Sequence, residues 1–235
     1  GFGNVSVFGG GTANSEFEVF TGCTMAFFGD NAYPYLQTIR GQKNSMISQM
    51  NENGYTTISI HPESDTNWNR KNIYRYLGFG QSLWKDDFPN AEVIHSGVSD
   101  AETFHKIIEL YENRQKGEKL FVFDLTMQNH GGYNVGDIEF TVTDLNTDEP
   151  QLDEYLSLVK ISDEAFAELV SYFEKQDEKV IICMYGDHHP WVSDFLMNTD
   201  GVDSIFAQEQ NMKKYKTPLV IWANYDIEER NNVDI

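Results

Sequence analysis

Gly186-Asp187-His188 closes a run that reads as a buried strand, Lys179-Val-Ile-Ile-Cys-Met-Tyr185. A carboxylate beside an imidazole at the carboxyl end of an apolar strand is costly unless something pairs them. A divalent cation does so, neutralising the acid and taking the lone pair of the neutral ring. In open α/β sheets ligands gather at this end of the strands. The pair is therefore read as the core of a metal site.

A second element lies near the front of the chain, Gly9-Gly-Gly-Thr12-Ala-Asn-Ser-Glu-Phe17. Three glycines permit close backbone approach and unusual dihedrals. The residues after them look helical, with Phe17, Phe20 and Met25 as core contacts. Thr12 would then stand at a helix N-terminus, where unbonded N–H groups attract anions. Its hydroxyl becomes a nucleophile if a cation lowers its pKa. Taken alone, the run is better read as a glycine-rich turn with Thr12 or Asn14 as an ordinary cap; beside Asp187 and His188, the chemical reading overtakes it.

Two further polar segments follow apolar runs. His61-Pro-Glu-Ser-Asp-Thr-Asn-Trp68-Asn-Arg70 follows Tyr55–Ile60, and Met127-Gln-Asn-His130-Gly-Gly-Tyr133 follows Lys119–Thr126. Arg70 offers a forked donor suited to phosphate or sulfate. Trp68 stacks on a sugar or glycerol face or anchors its loop. His130 binds a phosphoryl oxygen or moves a proton near neutral pH, or is an unremarkable loop histidine. His95 and His105 are read as structural.

These groups need a scaffold. Strands are expected at Tyr55–Ile60, Ala91–His95, Lys119–Thr126, Lys179–Tyr185 and Thr217–Ala223, with a small one at Ile138–Val142. Helices are expected over Tyr35–Asn53, Asp100–Gln115 and Ser162–Gln176, the last capped by Ser162. Strands alternating with helices predict an α/β fold with a mostly parallel central sheet and helices on both faces. The acidic stretch Gly131–Leu152 reads as a long excursion.

Composition sets bounds. The 235 residues are 40% hydrophobic, enough for one globular domain. The formal net charge of −20 disfavours nucleic acid as a partner. The two cysteines, Cys23 and Cys183, make no disulfide framework. No apolar run reaches the roughly 20 residues of a membrane helix. No signal peptide is visible, and the chain as given is expected to be soluble. It opens on Gly1-Phe-Gly-Asn without an initiator Met and reads as mid-domain sequence, which leaves a membrane anchor outside it open.

Four motifs in order, Gly-Gly-Gly-Thr12, His61 with Trp68 and Arg70, Gln-Asn-His130-Gly-Gly-Tyr and Tyr-Gly-Asp187-His188, resemble the extracellular catalytic domain of the lipoteichoic acid synthase and phosphoglycerol transferase family, within the alkaline phosphatase and sulfatase superfamily. The resemblance implies that residues 1–235 form one sulfatase-like domain. It implies that Thr12 is a nucleophile that also contacts the metal, that Asp187 and His188 are metal ligands, and that the cation is one Mn2+, with Mg2+ as substitute. His61, Trp68, Arg70 and His130 would bind the phosphoglycerol group. The substrate would be a phosphatidylglycerol-type lipid, and the acceptor a glycan or a glycerol phosphate polymer. The site would face outside the cell on a membrane-anchored protein. The family also draws a metal-binding glutamate from a strand upstream of its threonine. That strand is expected outside these residues, since Glu16 and Glu18 sit too near Thr12 to replace it. A sulfatase-type hydrolase is the rival enzyme, but Cys23-Thr-Met-Ala-Phe lacks the Pro and Arg that its maturation needs. The rival without catalysis is a degenerate domain that binds envelope polymer or lipid headgroups.

Overall fold

The structure is a computed structural model that describes residues 1–29, 31–133, 136, 138–142, 149–193 and 212–228. Its elements run β1 (Phe2–Asn4), α1 (Thr12–Thr21), α2 (Pro34–Gln37), α3 (Met46–Glu52), β2 (Tyr55–Ile60), α4 (Arg70–Leu77), β3 (Gln81–Leu83), β4 (Val93–Ile94), β5 (Gly97–Val98), α5 (Asp100–Asn113), β6 (Lys119–Asp124), α6 (Pro150–Phe173), β7 (Ile181–Tyr185) and β8 (Lys216–Ala223). They fall into two compact units, one of Gly1–Glu16 with Val170–Ile235 and one of Phe17–Leu169.

The larger unit is built on a parallel sheet of order β3-β2-β6. Its strands are rich in Ile, Val and Phe, as strands covered by helical crossovers are. Ile58, Ile60, Leu83, Phe88 and Val98 form one apolar cluster, against which Ile107 and Leu110 of α5 and Val122 of β6 pack. A second, aromatic cluster centres on Phe20, which has no exposed surface. Phe20 meets Phe123, Phe79 and Tyr74 edge-on at centroid distances of 4.7, 5.6 and 6.3 Å. The smaller unit carries an antiparallel sheet, β1-β8-β7, in register Phe2↔Pro218 and Cys183↔Ile221.

Several sequence expectations need new boundaries. Tyr35–Asn53 is two helices, because Pro34 starts α2 at its first turn and Ser45 starts α3 with a capping box. The Ser45 hydroxyl also donates to the Leu77 carbonyl at 2.5 Å, tying α3 to the end of α4. The helix expected from Ser162 already begins at Pro150, so Ser162 lies inside α6 and caps nothing. Its hydroxyl donates instead to Asp100 Oδ2 at 2.5 Å. Ile138–Val142 holds no strand: the Thr141 and Val142 amides donate to Ser157 Oγ. The rest of the Gly131–Leu152 excursion lies in part outside the described residues. Ala91–His95 shrinks to a two-residue strand in the β4–β5 hairpin.

Because three aromatic rings pack edge-on around Phe20, its loss leaves a hole that these neighbours refill poorly. Phe20→Ala is expected to cost about 3–5 kcal/mol, measured as a shift in the urea midpoint at unchanged slope.

Candidate active site

In the smaller unit, Thr12 is the first residue of α1 and Asp187-His188 follow β7 directly. Thr12 Oγ1 lies 3.2 Å from His188 Nε2, and Asp187 Oδ2 lies 3.3 Å from the same nitrogen. Two local features impose this convergence. Ser15, one turn into α1, donates its hydroxyl to the Asp187 carbonyl at 2.6 Å. On the other side the Gly9 amide donates to the His189 carbonyl at 2.8 Å.

The ring of His188 is oriented by its far nitrogen. Nδ1 faces the His189 carbonyl at 3.0 Å, and a carbonyl only accepts, so Nδ1 carries a proton. In the neutral ring Nε2 then offers a lone pair, and it faces a carboxylate oxygen that also only accepts. Two acceptors at 3.3 Å repel unless a cation, a proton or a metal, lies with them. A backbone carbonyl on the remote ring nitrogen is the arrangement in which histidine binds metals. The spacing also fits, because neighbouring ligand atoms about 2.1 Å from a divalent ion are separated by roughly 3.0–3.4 Å. The set is partial: among the described residues no group of three or more His, Cys, Asp and Glu is placed to hold a metal ion. Asp187 and His188, with the Thr12 hydroxyl, therefore fit as part of a coordination shell.

Tyr185 stands just before this pair and is neutral: burial raises its hydroxyl, and Glu16 and Asp187 raise it further. Gly9-Gly10-Gly11 all have positive φ. At Gly9 the requirement is steric as well, since a Cβ there would fall 2.2 Å from the indole of Trp191. Phe8 meets that indole edge-on at 5.2 Å. Ser15 and Trp191 escaped the sequence reading. The helical register of Ser15, three residues after Thr12, is the only hint the sequence offers for either.

The larger unit holds the other candidates. His61 is buried at the end of β2, and its two nitrogens are both engaged. Nδ1 faces the Leu125 carbonyl at 3.0 Å, so it is the protonated nitrogen, and Nε2 accepts from Arg70 Nη1 at 3.3 Å. That geometry needs a neutral ring. Burial, then the Arg70 charge, push its pKa down to about 4 despite the Leu125 carbonyl, and His130 adds a small push the same way. Arg70 opens α4 and is itself 3% exposed, a largely desolvated cation. Trp68 and Asn69 both have left-handed backbones, φ 55° and 58°, and Trp68 leans on Tyr33 at 4.6 Å. Strain of this kind at a bulky residue gathers at functional segments. His130 is exposed on its loop.

The sulfatase family model matches residues 2–235, and the chain belongs to that family. A Rhizobium meliloti protein provisionally named for cyclic beta-1,2-glucan modification is 30% identical over 227 residues, 92% of this chain and 35% of the relative. The lipoteichoic acid synthase of Staphylococcus aureus is 26% identical over 180 residues, 75% of this chain and 26% of the relative. The chain thus spans about a third or less of these curated relatives. Its fold is that of the Streptococcus pyogenes phosphoglycerol transferase GacH, solved with sn-glycerol-1-phosphate: TM-score 0.77 at 24% identity, covering 98% of this chain and 60% of that one. Among the described residues no helix is long and apolar enough to cross a membrane.

Two outcomes follow. Gly9→Ala, with a Cβ driven into the indole and a positive φ, is expected to cost more than about 1 kcal/mol and to shift the fluorescence of Trp191. The folded pKa of His61 lies below the unfolded value of 6.5, so its effect vanishes above that pH. As pH falls from about 6.5 to about 4 the unfolded chain takes the proton first, and stability drops by up to about 3 kcal/mol. Urea titrations across that window should show this limb in the wild type and lose it in His61→Asn.

Proposed function

We propose that the chain is the catalytic part of a phosphoglycerol transferase or phosphodiesterase that attacks phosphatidylglycerol-type lipids with the Thr12 hydroxyl, in the modification of an envelope polymer or glycan. The observation that carries this reading is the meeting of Thr12 Oγ1, His188 Nε2 and Asp187 Oδ2 within 3.2 and 3.3 Å at the first turn of a helix. The named relatives, a lipoteichoic acid synthase and a glucan-modification protein, support the substrate class.

Asp187 and His188 would hold one divalent cation, Mn2+ or Mg2+, with Thr12. When bound, that ion supplies charge neutralisation and favours the threonine alkoxide. Thr12 is held at a helix start whose N–H groups have no intrahelical partner and favour an incoming phosphoryl oxygen. Ser15 fixes Asp187 through its carbonyl and so fixes the acid relative to the hydroxyl. In this reading Arg70 is a binding cation with little hydration to lose, and it orients the neutral imidazole of His61. His61 and His130 address polar oxygens of the phosphoglycerol group, and Trp68 packs on its carbon face. Thr12 would displace diacylglycerol: its Oγ1 forms the new bond to phosphorus, the bond from phosphorus to the diacylglycerol oxygen breaks, and the proton given up by the threonine hydroxyl is balanced by one taken up by the departing oxygen. An acceptor hydroxyl or water then releases the phosphoglycerol from Thr12. On this reading the domain works at the outer face of a membrane.

Cys23 lies two residues beyond the end of α1, whereas a residue opening that helix is Thr12. That placement favours the threonine over a sulfatase-type cysteine. Thr12→Ala is expected to lower diacylglycerol release from phosphatidylglycerol by at least about a thousandfold in Mn2+, with the circular dichroism spectrum unchanged. Turnover by a folded, metal-loaded Thr12→Ala protein would refute the assignment. Faster cleavage of aryl sulfates than of phosphodiesters would turn the reading toward a sulfatase.

A further inference from the structure

The loop that carries His130 is gripped from below by a β-hairpin turn. Val93 pairs with Val98 and Ile94 with Gly97, so His95 and Ser96 are the two turn residues. Both close on one atom: His95 Nε2 lies 3.2 Å from the His130 carbonyl oxygen, and Ser96 Oγ donates to it at 2.9 Å. The carbonyl only accepts, so Nε2 carries a proton. The opposite nitrogen, Nδ1, faces Glu154 Oε1 of α6 at 3.5 Å, and the two side chains are 1% and 0% exposed, so this contact holds the ring when a second proton lies between the two atoms. The imidazole also stacks flat on Tyr133, 5.6 Å between centroids at 5°, and the Tyr133 hydroxyl donates to the Asn129 carbonyl at 2.8 Å. The hairpin presses on the loop's start as well, since a Cβ at Gly97 would lie 2.6 Å from Met127 Cβ.

The choice of residue is informative. His95 has φ 52°, the left-handed conformation that two-residue hairpins give to Asn, Asp or Gly. A histidine there is tolerated at a cost, and a buried histidine–glutamate contact adds a desolvation cost that an apolar pair would avoid. Neither cost is needed to make a hairpin. Both are accounted for if the side chain has to reach the His130 carbonyl and be held in its orientation from behind.

We infer that His95, oriented by Glu154, is a positioning residue that fixes the backbone of His130 for binding a glycerol-phosphate group. The inference rests on the phosphoglycerol reading for its ligand, but its structural half does not.

Three variants of the full chain test it. His95→Asn suits the left-handed turn and is too short to reach. Glu154→Leu removes the acceptor behind the ring, and Glu154→Gln keeps an oxygen there. Hydrogen exchange by mass spectrometry reads the loop 127–133 directly, and calorimetry with sn-glycerol-1-phosphate reads binding. Exchange of 127–133 is expected to rise about threefold to tenfold in His95→Asn and Glu154→Leu, and to stay within about threefold of wild type in Glu154→Gln. Affinity for sn-glycerol-1-phosphate should fall by a similar factor in the first two, and where turnover is measurable KM should rise more than kcat falls. A buried pair with a purely structural role predicts the reverse order for Glu154, with Leu neutral and Gln no better. Loop exchange unchanged in both His95→Asn and Glu154→Leu overturns the inference. Should exchange rise as expected while the wild type binds no sn-glycerol-1-phosphate, positioning stands and the phosphoglycerol reading fails.

Discussion

Asp187 Oδ2 and His188 Nε2 are held 3.3 Å apart by a backbone that leaves them little choice. Nδ1 is committed to the His189 carbonyl, Ser15 holds the Asp187 carbonyl, and Gly9 holds the carbonyl of His189. Two acceptors forced together form a standing demand for positive charge. Most of the smaller unit's local structure can be understood as meeting or preserving that demand. The first turn of α1 directs a hydroxyl and partial positive charge at it. The glycine run lets the chain pass against the Trp191 indole without a side chain in between. Tyr185, kept neutral by burial beside Glu16 and Asp187, adds no third negative charge.

The larger unit solves a different problem, that of keeping polar groups in the interior in defined protonation states. His61 is neutral because burial and Arg70 both oppose its proton, and its tautomer is set by Leu125. Asp124, at the end of β6, is pushed by burial to about 7, with Thr103 beside it opposing and Asp100 nearby adding to the rise. The two groups bias stability in opposite directions. His61 weakens the fold as pH falls from 6.5 toward 4. Asp124, with its folded pKa above the unfolded 3.8, weakens it as pH rises from there through about 7. Asp100 is raised as well, chiefly by burial, although Ser162 and Thr126 hydrogen-bond to it. Asp100, Ser162, Gln128 and Asn129 are joined by hydrogen bonds of 2.5 to 3.2 Å. The segment leading to His130 is therefore tied to α6 through Ser162 as well as to the hairpin.

Much of this was legible in the residues. β2 was expected at Tyr55–Ile60 and is found there, and the ends of β6 and β7 differ by a residue or two. Strand direction was not legible: an apolar run such as Thr217–Ala223 reads alike whether parallel or antiparallel, and β8 runs antiparallel to β7. α4 went unnoticed because Arg-Lys-Asn opens it, and only Ile73, Tyr74 and Leu77 mark its buried side. Ser162 misled because a serine before two acids imitates a cap, when the helix had begun at Pro150. For the candidate site, types and order single out Thr12, Asp187 and His188, which the structure brings within 3.2 and 3.3 Å of one another, but not the residues that hold them. Ser15 and Glu154 act through single atoms, and no pattern in a sequence marks an oxygen that happens to face a carbonyl or an imidazole. His95 was taken as structural since it ends a strand, and its turn conformation is visible only in three dimensions.

The net charge of −20 opposes the proposed anionic substrate only until distances are considered. At physiological salt an exposed charge is largely screened beyond roughly 8 Å, whereas buried or desolvated charges are screened far less. Many of the acidic residues among those described are of the first kind, as the exposed Glu109 and Glu164 show. The groups proposed to meet phosphate are of the second kind: Arg70 at 3% exposure, and the part-buried start of α1. A phosphate group close to either would feel that near, poorly screened charge more than the distant surface. Recognition then depends on which charges lie within one screening length, and the acidic exterior contributes chiefly to solubility and to the rejection of nucleic acid.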